Sequence, residues 1–119
     1  MRQWMCDPVI MCDQHLLGEH VEHHMFVGAI NKGTSIKGFL DNNLLEINTL
    51  QDRHQYLVEE MNRRGMNHKS PLPPIDITHI TTEQCSIFID RASALENLLS
   101  RCSKCKERHD GKGETQHEG

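Results

Sequence analysis

Residues 7–28 have the sequence DPVIMCDQHLLGEHVEHHMFVG, and this stretch decides the fold. Asp7 followed by Pro8 is typical of a helix start, with Asp7 as the N-cap and the proline in the first turn. Apolar side chains then recur at helical spacing as far as Gly28, namely Val9, Cys12, Leu16, Leu17, Val21 and Met25. The pattern predicts an amphipathic helix that ends near Gly28.

Two more helices are predicted further along the chain. One runs from about Thr49 to Arg64, with Gly65 as its C-terminal signal, and the other from Thr82 to about Cys102. Residues 31–44 are predicted to form a loop, and the proline-rich segment 70–74 cannot be helical. The sequence therefore predicts an all-α protein, with a compact three-helix domain over residues 1–102. Residues 103–119 contain no large apolar side chain and are predicted to form a polar, disordered tail.

Composition excludes several classes of protein. The chain has 119 residues, 25% of them charged, and no apolar segment approaches the roughly 18 residues of a membrane span. Five cysteines, an odd number without tight spacing, favour reduced thiols over a secreted disulfide framework. We therefore expect a soluble cytoplasmic protein that makes no contact with membranes. The net charge of −4 does not by itself indicate nucleic-acid binding.

The polar face of the first predicted helix is unusual for a solvated surface. His15, Glu19 and Glu22 are four and three residues apart and so share one face. Gly18 lies between them, although glycine costs about 1 kcal/mol relative to alanine inside a helix. The combination indicates a functional face at which another molecule approaches the backbone.

Three segments resemble one known family in order and spacing. Residues 13–22, DQHLLGEHVE, resemble the first helix of the phage-type pyrimidine-dimer DNA glycosylases, which are endonuclease-V-like AP lyases. Residues 53–67 are similar to the second helix of that family and its exit, and residues 83–94 are similar to the third. The resemblance implies a DNA repair enzyme that acts on damaged duplex DNA and nicks it at abasic sites.

The resemblance also implies a catalytic pair. In this family the N-terminal α-amine attacks C1′ of the damaged nucleotide, and a glutamate of the first helix assists strand scission. These roles correspond to Met1 and Glu22, with Arg2 at the position of a family arginine. Because Arg2 is bulky, we expect Met1 to be retained. An α-amine has an ordinary pKa near 8, against about 10.4 for lysine, so an appreciable fraction is neutral and nucleophilic in a cell.

Further residues are implied or predicted to contact DNA, and they are Arg2, Gln14, His15, Glu19, His20, His23, Lys32, Arg64 and Lys69. The enzyme is expected to act as a monomer on double-stranded DNA, without a cofactor or a metal. Val21 and Met25 depart from the family, which carries arginines at or near these positions.

Two other functions remain open from the residues alone. His15, Glu19, Glu22 and His23 could bind a divalent metal and make the protein a metal-dependent DNA endonuclease. The protein could also be a DNA-binding module without catalysis. Separately, Cys102, Cys105 and His109 have half the spacing of a zinc site, and Cys6 or Cys12 could approach them in space.

Overall fold

The fold is all-α, as predicted, in a computed structural model that describes residues 1–68 and 70–118, with side chains as far as residue 111. Its helices are α1 (Asp13–Lys32), α2 (Lys37–Asp41), α3 (Leu50–Arg63), α4 (Thr82–Cys85), α5 (Arg91–Arg101) and α6 (Ser103–Glu118). Short 3₁₀ helices occur at Pro8–Ile10 and Ile47–Thr49. Among the described residues, no helix combines the length and the apolar character that a membrane crossing requires.

Helix α1 begins and ends later than the sequence predicts. Asp7 caps the 3₁₀ helix, where its Oδ1 accepts from the Val9 amide at 3.0 Å, and Cys12 caps α1 instead. The helix passes through Gly28 and ends at Gly33, whose φ of 74° is the left-handed conformation typical of a helix C-terminus. It continues because its last turns are buried in the core, through Phe26, Val27 and Ile30.

Of the other predicted helices, one is present and one is not continuous, and α2 (Lys37–Asp41) forms within residues 31–44, where the prediction of a loop is wrong. The helix predicted from Thr49 to Arg64 is α3. The one predicted from Thr82 to Cys102 is interrupted, because α4 ends at Cys85 and α5 begins only after Asp90. Asp90 caps α5 by accepting from the Ser93 amide at 3.1 Å.

The buried face of α1 is not the apolar stripe that the sequence predicts. Leu17, Val21 and Met25 are 41%, 53% and 53% exposed. Leu16 packs in one apolar cluster and Phe26 in another, and the face between them buries Glu19, His20 and His23. The predicted stripe is therefore wrong beyond Leu16, because polar pairing with other segments decides which face of α1 is covered.

One buried ion pair joins α1 to α3 and to the N-terminal segment. Glu19 is 1% exposed, and its carboxylate accepts from Arg53 Nε at 2.7 Å and Arg53 Nη2 at 2.9 Å. The same carboxylate accepts from the Trp4 amide at 3.1 Å, and Arg53 Nη1 donates to the Cys6 carbonyl. Burial alone would lower the pKa of Arg53, but the hydrogen bonds and the charge of Glu19 outweigh it and raise that pKa.

The first part of the predicted polar tail, residues 103–111, lies in α6 and contacts the rest of the protein. Cys105, in the first turn of α6, is fully buried and its Sγ accepts from the Cys12 amide at 3.2 Å. Arg108 Nη2 donates to the Val9 carbonyl at 2.9 Å. The Cys105 thiol attaches α6 to the N-cap of α1, and Arg108 attaches it to the 3₁₀ helix Pro8–Ile10. A count of large apolar residues does not reveal these contacts.

Replacing Glu19 tests the weight of the buried pair. Glu19→Gln leaves the Arg53 charge buried without a counter-ion, and we expect unfolding free energy to fall by about 3–5 kcal/mol. Urea denaturation followed by circular dichroism measures the change. The control is Asp41→Asn, which removes the exposed pair between Lys37 and Asp41 and should leave the urea midpoint unchanged. Equal midpoints for wild type and Glu19→Gln would contradict the assignment.

Candidate active site

A cleft of about 590 Å³ opens between the N-terminal segment and α1. Its walls come from four parts of the chain, through Met1, Arg2, Trp4, Gln14, His15, Gly18, Glu19, Glu22, Asn42, Leu44 and Arg101. This volume is within the usual range for small-molecule sites. A Cβ atom at Gly18 would meet no other atom within 4 Å, so the missing side chain leaves the cleft open beside the helix backbone.

The terminal amine and a carboxylate meet in this cleft. The Met1 nitrogen lies 3.8 Å from Glu22 Oε1, and the Arg2 amide donates to Glu22 Oε2 at 3.5 Å. The Met1 and Glu22 side chains are 18% and 27% exposed, so solvent and a ligand can reach both. The arrangement offers a nucleophile beside a group that can accept a proton and stabilise a cation.

Hydrogen bonds from the next two residues fix the position of Met1. Gln3 is fully buried, and its backbone amide donates to the Leu44 carbonyl at 2.8 Å. The side-chain Nε2 of Gln3 lies 3.2 Å from His23 Nε2. The amide of Trp4 donates to Glu19, as described above, and the indole is 7% exposed. Trp4 is therefore a core residue, and the extended N-terminal segment is attached along α1 in a single register.

Two guanidinium groups give the cleft positive charge. Arg2 Cζ lies 4.1 Å from the centre of the Trp4 ring, a cation–π contact that orients the side chain. Burial, and then the charge of Arg101, lower the pKa of Arg2. Sequence reasoning missed Arg101, because an arginine in the last turn of a helix is explained equally well by the helix dipole.

A family model described as pyrimidine dimer DNA glycosylase matches residues 1–74, which is more than half of the chain. The chain belongs to that family. It is therefore a DNA repair enzyme of the glycosylase class, and DNA is its substrate. No curated protein matches it, and no solved structure does. The matched residues include the Met1–Glu22 pair and the Glu19–Arg53 pair, whereas Arg101 and helix α6 lie beyond them.

The structure brings several of the predicted site residues of this glycosylase together. Met1, Arg2, Gln14, His15 and Glu22 all line the cleft. The positions that depart from the family, Val21 and Met25, are exposed on α1. Lys32 is exposed at the end of α1 and stays a prediction, and Lys69 lies outside the described residues.

Three of the predicted DNA contacts, Glu19, His23 and Arg64, make hydrogen bonds to other parts of the protein. Both oxygens of Glu19 are used inside the protein, and His23 is fully buried, with its Nδ1 2.9 Å from the Glu19 carbonyl. Arg64 donates to Glu60 at 2.8 Å and to Asp13 at 2.9 Å. These contacts give the three side chains a structural role in the framework of the site, and their contact with DNA stays a prediction.

One alternative from the sequence is a metal site formed by His15, Glu19, Glu22 and His23. Among the described residues these four side chains do not form a group of metal ligands. Glu19 and His23 are used in internal contacts, and Glu22 faces the terminal amine. His109 lies beside Asp110, with His109 Nδ1 3.3 Å from Asp110 Oδ1, rather than beside the cysteines. Cys6, which the sequence offers as a possible partner of these cysteines, is a buried thiol, and burial raises its pKa to about 11.

Two other groups of potential ligands do come together in the described residues. The cysteine cluster consists of Cys12, His15, Cys102 and Cys105, and the histidine cluster of His20, His24, His54 and His68. In each, the candidate ligand atoms lie within 4.8 Å of one another. His20, predicted to bind DNA, is instead a buried member of the histidine cluster.

Variants of Arg101 and Arg64 together test which arginine contacts DNA. Arg101→Gln removes a cleft charge, and we expect weaker binding of duplex DNA and a slope of log K against log salt smaller by about 1. Arg64→Gln should lower stability but leave the salt slope unchanged at a temperature where the variant is folded. Fluorescence anisotropy with an abasic-site analogue duplex measures both. The reverse pattern would show that the cleft is not where the phosphates bind.

Proposed function

We propose that this protein is a DNA glycosylase with AP-lyase activity, in which the Met1 amine is the nucleophile and Glu22 is the assisting carboxylate. Double-stranded DNA containing a damaged or abasic nucleotide is the substrate. The enzyme acts as a monomer in the cytoplasm, and the imine chemistry itself needs no cofactor. One observation carries the proposal, which is the 3.8 Å separation between the Met1 nitrogen and Glu22 Oε1 inside an open cleft.

The chemistry follows from this pair. The lone pair of the neutral amine attacks C1′, and the damaged base leaves with the electrons of the glycosidic bond. Opening of the sugar and loss of protons give an imine between Met1 and C1′. Glu22 stabilises the protonated imine and accepts a proton from C2′, and the C3′–O bond breaks with departure of the phosphate. At an existing abasic site the amine condenses with the C1′ aldehyde and water is lost.

The remaining cleft residues support binding of a nucleotide that has left the duplex. Arg2 and Arg101 supply positive charge for the flanking phosphates in a chain whose net charge is −4. Gln14 and His15 offer hydrogen-bonding groups along the α1 wall, and Gly18 leaves room between them and Glu22. Removing a nucleotide from the stack is the general solution for enzymes that act on a base or its sugar.

Borohydride trapping tests the nucleophile. Incubation with abasic duplex and borohydride should reduce the imine to a stable amine and give a covalent protein–DNA adduct. Peptide mapping should place this adduct on Met1, after N-terminal sequencing of the same preparation has established that Met1 begins the chain. Acetylation of the α-amine should abolish trapping without changing the circular dichroism spectrum. An adduct on a lysine, or nicking without any adduct, would contradict the proposal.

Glu22→Gln tests the carboxylate. The change keeps size and helix but removes the charge, so strand nicking should fall by about 10²–10⁴-fold, the usual contribution of a positioned acid or base. Glu59→Gln is the matched control, because Glu59 is exposed on α3 and outside the cleft. It should nick at the wild-type rate. A metal-dependent nuclease predicts a different set of results, with no adduct and cleavage of undamaged DNA only when a divalent cation is added.

A further inference from the structure

The cysteine cluster is built from two pairs with the same spacing at two helix starts. Cys12 caps α1 and His15 lies in its first turn, which gives the pattern Cys-x₂-His. Cys102 separates α5 from α6 and Cys105 lies in the first turn of α6, which gives Cys-x₂-Cys. Two such pairs facing each other are the usual composition of a structural zinc site.

The distances within the cluster match a tetrahedron around one ion. Cys12 Sγ lies 3.8 Å from Cys102 Sγ, and His15 Nδ1 lies 3.2 Å from Cys12 Sγ and 3.7 Å from Cys105 Sγ. With Zn–S near 2.3 Å and Zn–N near 2.0 Å, the edges of a tetrahedron are about 3.8 Å between two sulfurs and about 3.5 Å between sulfur and nitrogen. The three observed separations lie within about 0.3 Å of these edge lengths.

Backbone amides are already directed at the sulfurs. The Cys12 amide donates to Cys105 Sγ at 3.2 Å, the Cys105 amide to Cys102 Sγ at 3.4 Å, and the His15 amide to Cys12 Sγ at 3.4 Å. Each sulfur therefore accepts an N–H, which disperses the negative charge of a metal-bound thiolate. All five cysteines of the chain are free thiols, so no disulfide competes for these atoms.

We propose that Cys12, His15, Cys102 and Cys105 bind one Zn²⁺ in a closed tetrahedral site. Four protein ligands leave no open position, so the ion is structural and does not activate water. It joins the start of α1 to the junction of α5 and α6, and so holds the C-terminal helices on the part of the chain that carries Met1 and Glu22. Because His15 also lines the cleft, the same ion fixes one wall of the active site.

The histidine cluster gives an independent indication of a second ion. The Nε2 atoms of His20, His24, His54 and His68 are all buried, and each is without a hydrogen-bond partner. Neighbouring rings lie 4.5–5.2 Å apart between centroids. Four unpaired buried nitrogens at one point are costly, and a shared cation satisfies all of them at once.

We infer that the histidine cluster binds a second transition-metal ion of the type that prefers imidazole, such as Zn²⁺. The ion would link α1 to α3 and to the segment that contains His68.

Metal content and cobalt spectroscopy test the cysteine cluster on the untagged full chain. We expect one Zn²⁺ per cluster by mass spectrometry, and Co²⁺ replacement should give sulfur-to-cobalt charge-transfer absorption with tetrahedral d–d bands. Cys102→Ser/Cys105→Ser should lose one ion and the charge-transfer band, whereas Cys85→Ser, which changes a thiol outside the cluster, should keep both. X-ray absorption of the wild-type zinc protein should show a sulfur shell near 2.3 Å, which needs no variant. Absence of that shell would overturn the site.

The histidine cluster has its own test on the same preparation. His24→Gln/His68→Gln should lose one ion while retaining the sulfur-to-cobalt band. His109→Gln, which changes an exposed histidine outside the cluster, should retain both ions. X-ray absorption of the cysteine variant should show nitrogen ligands only. Unchanged metal content in His24→Gln/His68→Gln, or a wild-type protein that holds only sulfur-coordinated zinc, would overturn the second site and leave the first intact.

Discussion

The buried pair between Glu19 and Arg53 is the interaction on which the rest of the structure depends. Its two charges lie out of water between two helices, so removing either one leaves the other buried without its partner. The same two side chains bind the backbone of the N-terminal segment at Trp4 and Cys6. The pair therefore does more than join α1 to α3, because it sets where an extended segment without secondary structure of its own must lie.

Placing that segment creates the active site. Once Gln3 and Trp4 are held along α1, the Met1 amine lies near Glu22, which is one turn of α1 beyond Glu19. A terminal amine is normally among the most mobile groups of a chain, so in the proposed mechanism its fixed position beside a carboxylate lowers the entropy cost of the attack on C1′. The framework residue Glu19 and the proposed catalytic residue Glu22 are thus neighbours on one helix, with different partners and different burial.

The sequence predicts the helical class, the helices α1 and α3 with approximate bounds, and, through the resemblance to the family, the pairing of Met1 with Glu22, whose catalytic role stays a prediction. It does not predict which face of α1 is buried, because Glu19 and His23 are polar and only their partners Arg53 and Gln3 explain their burial. The role of α6 is hidden for a similar reason, since one buried cysteine and one arginine attach it. The cysteine cluster could not be predicted from the sequence, because Cys12 and Cys105 are far apart in the chain and only the tertiary fold brings them together. The same holds for the histidine cluster.

The most direct measurement is the rate of covalent trapping on abasic DNA for Arg53→Lys. Lysine keeps the charge beside Glu19, but a single ammonium group cannot donate two hydrogen bonds to Glu19 and a third to the Cys6 carbonyl in the geometry of the guanidinium group. If the pair positions the amine, trapping should slow by about a hundredfold, as small misplacements of reacting groups do, at a temperature where helicity is unchanged. Trapping at the wild-type rate in a fully helical Arg53→Lys protein would contradict the account.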